Sequence, residues 1–307
     1  MQYDISFVLH GSVVNKRGYY MELVLKGITK SYTKGKKRKN ALVDFTLTLT
    51  EGVYGLLGPN GAGKSTLINI ITGIIGKDSG SIAFSDGKDN SFLSHLGFMP
   101  QGMDFYRNFT AKDYIKYIMA LKKYAPDNAD EYALSVLDRV NLRADADKKI
   151  GAFSGGMKQR LGIAQAIVGE PKVLIFDEPT AGLDAKERIR FRNVISSLAA
   201  DKIVILATHI VTDIAYVAKT VVLMNGGKII KTGTQEELCS DISGKVWEIT
   251  SESDKVMDYM SRMRVSNAVS DGSKYTLRIV GDNPPEQDAK AVQPTLEDVC
   301  IYYFGDM

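Results

Sequence analysis

The sequence predicts an α/β fold built on a mostly parallel central sheet, and three stretches carry that expectation. Residues 58–66 read GPNGAGKST and lie between a short apolar run, 53–57 (VYGLL), and a helix-forming run with Leu67, Ile68, Ile70 and Ile71. Residues 173–176 (VLIF) and 203–207 (IVILA) are continuous apolar runs, the pattern of strands buried on both faces. They end in Asp177-Glu178 and Thr208-His209, at the carboxyl edge where open α/β sheets bind ligands.

The first stretch satisfies the phosphate-loop pattern G-x-x-x-x-G-K-[ST] at Gly58, Gly63, Lys64 and Ser65, in the confirming order strand, loop, helix. Pro59, Asn60, Gly61 and Ala62 form its middle, Thr66 follows, and Gly61 adds a position where backbone approaches a ligand without a Cβ in the way. Successive loop amides and the positive end of the following helix converge on phosphate oxygens. Lys64 spans the β- and γ-phosphates, and the Ser65 hydroxyl ligates Mg²⁺. The implied ligand is a nucleoside triphosphate.

Two acids at the end of a buried strand are costly unless used. Asp177 suits the Mg²⁺ site beside Ser65, and Glu178 faces the γ-phosphate as a general base that orients water. His209 ends the other core strand on the same edge. A histidine is more often an ordinary polar residue, but this placement makes a γ-phosphate contact reasonable.

Around these stretches the chain reads in order. Residues 1–20 hold apolar runs too short for a signal peptide and no small-residue cleavage site, and the expectation is a disordered upstream leader. Residues 21–25, 41–50 and 80–84 read as strands of an antiparallel sheet. Tyr32 falls between the first two, where a tyrosine serves packing or a ligand face. The basic run 34–39 (KGKKRK) reads as a solvated turn. Thr110 and Asp113 resemble a capping box for a helix carrying Tyr114, Ile118 and Leu121. A break at Pro126-Asp127-Asn128 separates it from a second helix with Leu134, Leu137 and Val140, and the two form an inserted helical lobe.

Residues 153–159 (FSGGMKQ) open the next helix, whose apolar face includes Leu161, Ala164, Ile167 and Val168. Ser154, Gly155 and Gly156 are either a plain helix cap or an anion-binding turn, and the residues alone do not choose. Strands 220–224 and 228–231 meet at Asn225-Gly226-Gly227, a hairpin signal. Beyond about 245, strands at 245–250 and 275–280, a helix at 254–263, a polar loop at 281–294 and an amphipathic helix at 295–304 make a small α+β appendage with no catalytic constellation.

Taken together, GPNGAGKST, FSGGMKQ, VLIFDEPTAGLD and His209 resemble, in order and spacing, the ATP-binding cassette (ABC) ATPases, from residue 21 to the C-terminus. The resemblance implies a P-loop NTPase core with a RecA-like, mostly parallel sheet, an antiparallel β subdomain, an inserted helical subdomain at about 102–170 and the C-terminal α+β appendage. It places the ATPase domain at 21–240 and the appendage at 241–307. It implies that Tyr32 stacks on adenine and that Gln101, in FMPQG, reaches Mg²⁺ and the attacking water. Asp184 resembles the aspartate of the loop that crosses the dimer interface.

The implied mechanism is ATP hydrolysis between two cassettes, one supplying Lys64, Ser65, Asp177, Glu178 and His209, the other closing Ser154 and Gly156 over the γ-phosphate. The second cassette is an identical or a sister subunit. The signature lacks the commonest leading leucine and carries Met157-Lys158 before Gln159, a variant similar to that of drug, antibiotic and lipid exporter ATPases. The preceding residues 149–152 (KIGA) do not resemble the acidic coupling segment of exporters that fuse cassette and membrane domain, and with residues 294–299 (PTLEDV) they resemble stand-alone cassettes paired with separate type-two exporter permeases.

Composition narrows the alternatives. At 307 residues, 44% hydrophobic and 24% charged, the chain is an ordinary globular one of one large or two modest domains. Its formal net charge of +3 does not favour a nucleic-acid partner. Cys239 and Cys300 form no C-x-x-C motif, which fits a reduced cytosolic compartment. No apolar stretch approaches the roughly 20 residues needed to cross a bilayer. The expected location is the cytoplasmic face of the membrane, peripheral through a permease. The alternatives are an importer subunit or a soluble ABC ATPase acting on nucleic acid or ribosomes; the latter predicts tandem cassettes, a long coiled-coil insertion or zinc modules.

Overall fold

The computed structural model describes residues 21–35, 37–85 and 92–305; the expected leader at 1–20 lies outside them. The chain opens with strands β1 (Glu22–Lys34) and β2 (Lys37–Leu49) and the phosphate-loop strand β3 (Gly52–Leu57). Helix α1 (Lys64–Ile71) and strands β4 (Ser79–Ser85) and β5 (Leu96–Met99) follow. Then come three helices, α2 (Ala111–Leu121), α3 (Ala129–Arg139) and α4 (Gly155–Ile167).

The chain alternates again through β6 (Val173–Asp177), α5 (Ala185–Leu198), β7 (Ile203–Ala207) and α6 (Val211–Val217). Strands β8 (Thr220–Asn225) and β9 (Lys228–Gly233) and helix α7 (Gln235–Asp241) complete this part. The last stretch holds β10 (Val246–Glu252), α8 (Val256–Arg262), β11 (Arg264–Ser270), β12 (Lys274–Val280), β13 (Lys290–Ala291) and α9 (Leu296–Phe304).

The central sheet has the order β5-β6-β7-β3-β8-β9, parallel throughout except for the β8–β9 hairpin. Alternation along β6 explains why its residues are all apolar. Val173 and Ile175 face a core shared with α1 and the antiparallel sheet, whereas Leu174 and Phe176 face a core shared with α4 and α5. Both faces are covered, so every side chain is buried.

The antiparallel sheet has the order β2-β1-β4. Strand β1 is 13 residues long, far longer than the expected 21–25, so Tyr32 lies inside β1 rather than between strands. Lys37, Arg38 and Lys39 belong to β2, and the basic run is only partly a turn. In the helical lobe, Thr110 caps α2 by accepting from the Asp113 amide at 3.1 Å while its hydroxyl donates to the Asp113 carboxylate at 2.7 Å. Tyr114 and Ile118 are buried as expected, but Leu121, at the last turn, is 62% exposed.

The C-terminal sheet, β11-β12-β10-β13, contains two strands, β11 and β13, that the sequence pattern did not reveal. Helix α9 leaves this sheet's own small core and buries Leu296, Val299 and Cys300 in the core that includes Ile214 of α6 and Leu238 of α7. Its start is fixed by Asp298, fully buried, which accepts from Arg278 at 2.8 Å, Ser266 at 2.7 Å and the Thr295 amide at 2.7 Å. Burial pushes the Asp298 carboxyl up, yet these donors together hold it below the ordinary carboxylate range. Truncating one partner of a buried ion pair strands the other, so Asp298→Ala is expected to cost about 3–5 kcal/mol in urea unfolding. A loss under about 1 kcal/mol would show that solvent reaches Arg278 readily.

Candidate active site

Strand β3 runs between β7 and β8 and delivers the chain into the loop at Gly58. A Cβ on Gly58 would stand 2.2 Å from the Met224 carbonyl oxygen, so only glycine lets the loop pass the end of β8. Gly63 takes φ +107°, and a Cβ there would meet the Ala41 carbonyl oxygen at 2.5 Å. The loop is stitched to its neighbours by the Gly227 amide donating to the Ala62 carbonyl at 3.0 Å and the Val43 amide donating to the Gly227 carbonyl at 2.9 Å. No side chain caps α1. The amides of its first turn therefore face the space in front of the loop, as an anion site requires.

Lys64 is buried, and its ammonium folds back to the Gly58 carbonyl at 2.5 Å and the Pro59 carbonyl at 3.3 Å. Burial lowers its pKa, opposed by the charges of Glu178 and Asp177. Asp177 ends β6 at 8% exposure. Its carboxyl is pushed up to about 6 by burial and by Glu178, with Lys64 pulling the other way.

Glu178 turns away from the strand in the left-handed region, φ 48°, a conformation that costs a β-carbon residue of order 1 kcal/mol and marks an over-determined position. Its amide donates to the Ala207 carbonyl at 2.8 Å. Its carboxylate accepts from the Thr208 hydroxyl at 3.2 Å and the His209 amide at 3.1 Å. His209 Nδ1 lies 2.8 Å from Glu178 Oε2. A carboxylate there accepts the Nδ1 proton and fixes the ring, turning Nε2 away from Glu178; Nε2 donates to an anion only when it too carries a proton, in the imidazolium form.

These parts meet in one cavity of about 590 Å³, lined by Tyr32, the loop from Gly58 to Thr66, Gln101, Glu178 and His209. Tyr32 is 46% exposed, with the Lys30 ammonium over its ring at 5.8 Å from the centroid. Asp177 is not part of the wall; it is buried, within electrostatic reach of Glu178 and Lys64. Lys39 and Ala41 do line the cavity, and neither was expected there.

Ser154, Gly155 and Gly156 are not in this cavity. Ser154 caps α4, its hydroxyl accepting from the Met157 amide at 3.2 Å. Ser154 and Gly155 are exposed, and Gly156 is buried where a Cβ would stand 2.5 Å from the Glu187 carboxylate. Glu187 also pairs with Arg160 of α4 and Arg190 of α5. Asp184 caps α5 by accepting from the Glu187 amide at 2.8 Å.

A parallel sheet, a glycine-rich loop with a buried lysine, and a carboxylate–histidine pair facing that loop define a nucleoside-triphosphate-binding protein of the P-loop class. A family model described as "ABC transporter" matches residues 42–181. The uncharacterized ABC transporter ATP-binding protein YxlF of Bacillus subtilis (strain 168) is 36% identical over 216 residues, covering 70% of this chain and 72% of that protein. The linearmycin resistance ATP-binding protein LnrL of the same organism is 32% identical over 234 residues, covering 75% and 70%.

Among solved structures, the dimeric post-hydrolysis state of the ATP-binding cassette MJ0796 bound to ADP and Pi superposes with TM-score 0.61 at 24% identity, covering 69% of this chain and 98% of that one. This last is a likeness of fold. The chain belongs to the ABC transporter family and carries that family's ATP-binding ATPase cassette. Among the described residues no helix is long and apolar enough to cross a membrane.

Proposed function

We propose that this chain is the ATP-hydrolysing subunit of an exporter, working on a separate membrane permease by ATP-dependent pairing of two cassettes. The observation that carries the reading is the single cavity in which the loop, Glu178 and His209 face one another. The loop amides and Lys64 hold the β- and γ-phosphates, trading the Gly58 and Pro59 carbonyls for phosphate oxygens. Tyr32, partly exposed at the cavity wall, stacks on the adenine ring. Glu178, aimed by Thr208 and His209, takes the proton of a water attacking the γ-phosphate, and His209, with a proton on each ring nitrogen, donates from Nε2 to that phosphate.

Mg²⁺ fits the donors present. Ser65, Asp177 and Gln101 would hold it with hard oxygens, and the buried Asp177 carboxyl is more easily ionised beside a cation. Among the described residues no group of three or more His, Cys, Asp or Glu forms a protein cage for a metal; Mg²⁺ bound through one carboxylate and substrate phosphates needs none. When bound, the ion neutralises charge on the phosphate oxygens.

The exposure of Ser154 and Gly155 outside their own chain's cavity supports pairing. An exposed amide-rich turn is available to cover the γ-phosphate of a second cassette, identical or sister. Exporter direction is supported by the Met157-Lys158 signature and by the resistance function in the name of LnrL. Peripheral location at the cytoplasmic membrane face follows from pairing with a permease.

The test is ATP binding and turnover by the purified chain with its co-expressed permease. Lys64→Ala is expected to weaken ATP by at least about 100-fold, since it removes the buried cation from the loop. Binding of ATP by Lys64→Ala as tight as by the unaltered chain would overturn the assignment of the cavity.

A further inference from the structure

The β1–β2 hairpin carries a cation that neither the phosphate loop nor the Glu178–His209 pair accounts for. Lys39 stands directly across from Tyr32 in the antiparallel register. Opposed residues of such a pair project from the same face with Cβ atoms about 4.5–5.5 Å apart, and both side chains line the nucleotide cavity. The Lys39 ammonium reaches the rim of the phosphate loop, 3.9 Å from where a Cβ on Gly61 would stand.

Lys39 is exposed, and among the described residues its ammonium makes no hydrogen bond or ion pair. Its neighbours differ. Arg38 spends its guanidinium on Ser31, Nε donating to the hydroxyl at 3.0 Å. Lys37 pairs with Lys34 nearer the hairpin tip and is not in the cavity wall. Lys64, the other cation of the cavity, is turned inward to the loop's own carbonyls.

The backbone that presents Lys39 is braced. The Ser31 amide and hydroxyl both donate to Asp78 at 2.8 Å, and Lys30 adds a third donor at 3.2 Å. Asp78 lies between α1 and β4, so the strand pair at Tyr32 and Lys39 is tied to the segment that follows the phosphate-loop helix. An unpaired ammonium held at the mouth of an anion site is suited to ligand charge.

We propose that Lys39 is a second polyphosphate-binding residue, closing over the outward face of the nucleotide's phosphates while the loop and Lys64 hold the inward face. One hairpin then meets both ends of the ligand, Tyr32 the base and Lys39 the phosphates. The proposal rests on the cavity being the nucleotide site.

The test is competition of ATP, ADP and AMP, each with magnesium, against a fluorescent ATP analogue on the full chain. Lys39→Met keeps the stem and removes the charge. It is expected to weaken ATP and ADP about tenfold, the order of one charge-assisted hydrogen bond, and AMP by less than about threefold. Lys39→Arg is expected to recover ATP affinity to within about threefold, and the ATP loss in Lys39→Met should shrink at high salt. Lys255→Ala, an equal loss of charge beside α8, should leave all three affinities unchanged.

ATP affinity in Lys39→Met within about twofold of the unaltered chain would overturn the proposal. So would an equal loss for ATP and AMP, because that pattern means a displaced Tyr32 rather than a lost phosphate contact. Lys64→Ala run in parallel separates the two readings. If the unaltered chain binds ATP and Lys64→Ala does not, the nucleotide site stands whatever Lys39 does. If the unaltered chain binds no ATP, both fall.

Discussion

Glu178→Gln is expected to bind ATP as well as the unaltered chain while losing about 10²–10⁴-fold in steady-state hydrolysis, the contribution of a positioned general base. Gln keeps the length, keeps one oxygen to accept from the His209 amide as Oε1 does, puts its NH₂ where Oε2 accepts from the Thr208 hydroxyl and faces His209 Nδ1, and inherits the same φ of 48°. What it loses is the ability to take a proton. If the post-hydrolysis state is what releases the paired cassettes, the variant should also accumulate as an ATP-dependent dimer, read by size-exclusion chromatography with light scattering. Turnover within about tenfold of the unaltered chain would remove Glu178 from the base role.

The same residue shows where sequence reasoning ends. Its position after a fully apolar strand was legible, because a carboxylate at the end of 173–176 has no other economical use. Its left-handed backbone was not, since nothing in DEPT encodes the turn that aims the carboxylate at Thr208 and His209 rather than along β6. The phosphate loop was legible as a pattern for a different reason: Gly58 and Gly63 answer to short-range collisions with the Met224 and Ala41 carbonyls.

Lys39 lies in β2 rather than in a turn, at a cavity wall that composition alone does not reveal, because its place is set by strand register. Register came from β1 running through Tyr32 to Lys34, with irregularities at 25–31 that no alternation pattern carries. Strand β11 was missed for a related reason. RVSNAVS has its weak alternation broken by a register shift between Val265 and Asn267, so its apolar residues do not fall on one face in simple order. Helix α9 was found as a helix, but whether it belonged to the terminal sheet or to the larger core depended on its contacts with α6 and α7. Those partners lie more than fifty residues upstream.

Asp177 yields a prediction whose sign depends on whether magnesium nucleotide is bound. In the fold its carboxyl is pushed from the ordinary 3.8 up to about 6, by burial first and Glu178 second, with Lys64 unable to offset them. The folded protein therefore holds this proton more tightly than the unfolded chain does. The associated stability is fully present below the ordinary value and is lost as pH rises through about 6. Above that, the buried charge costs on the order of 1–3 kcal/mol.

Asp177→Asn escapes this loss, so without ligand, in EDTA, it should be more stable than the unaltered chain at pH 8 and nearly equal to it below pH about 4. With ATP and Mg²⁺ at pH 8 the order should reverse. A cation beside Asp177 makes its ionised form the favoured one, ligand binding then adds to stability by mass action, and the asparagine variant lacks the charge that recruits the ion. Thermal unfolding at pH 5 and pH 8, with and without Mg²⁺–ATP, reads all four combinations. A less stable asparagine variant at pH 8 in EDTA would mean that attraction to Lys64 outweighs desolvation. A variant that gains as much from Mg²⁺–ATP as the unaltered chain would take Asp177 out of the metal's shell.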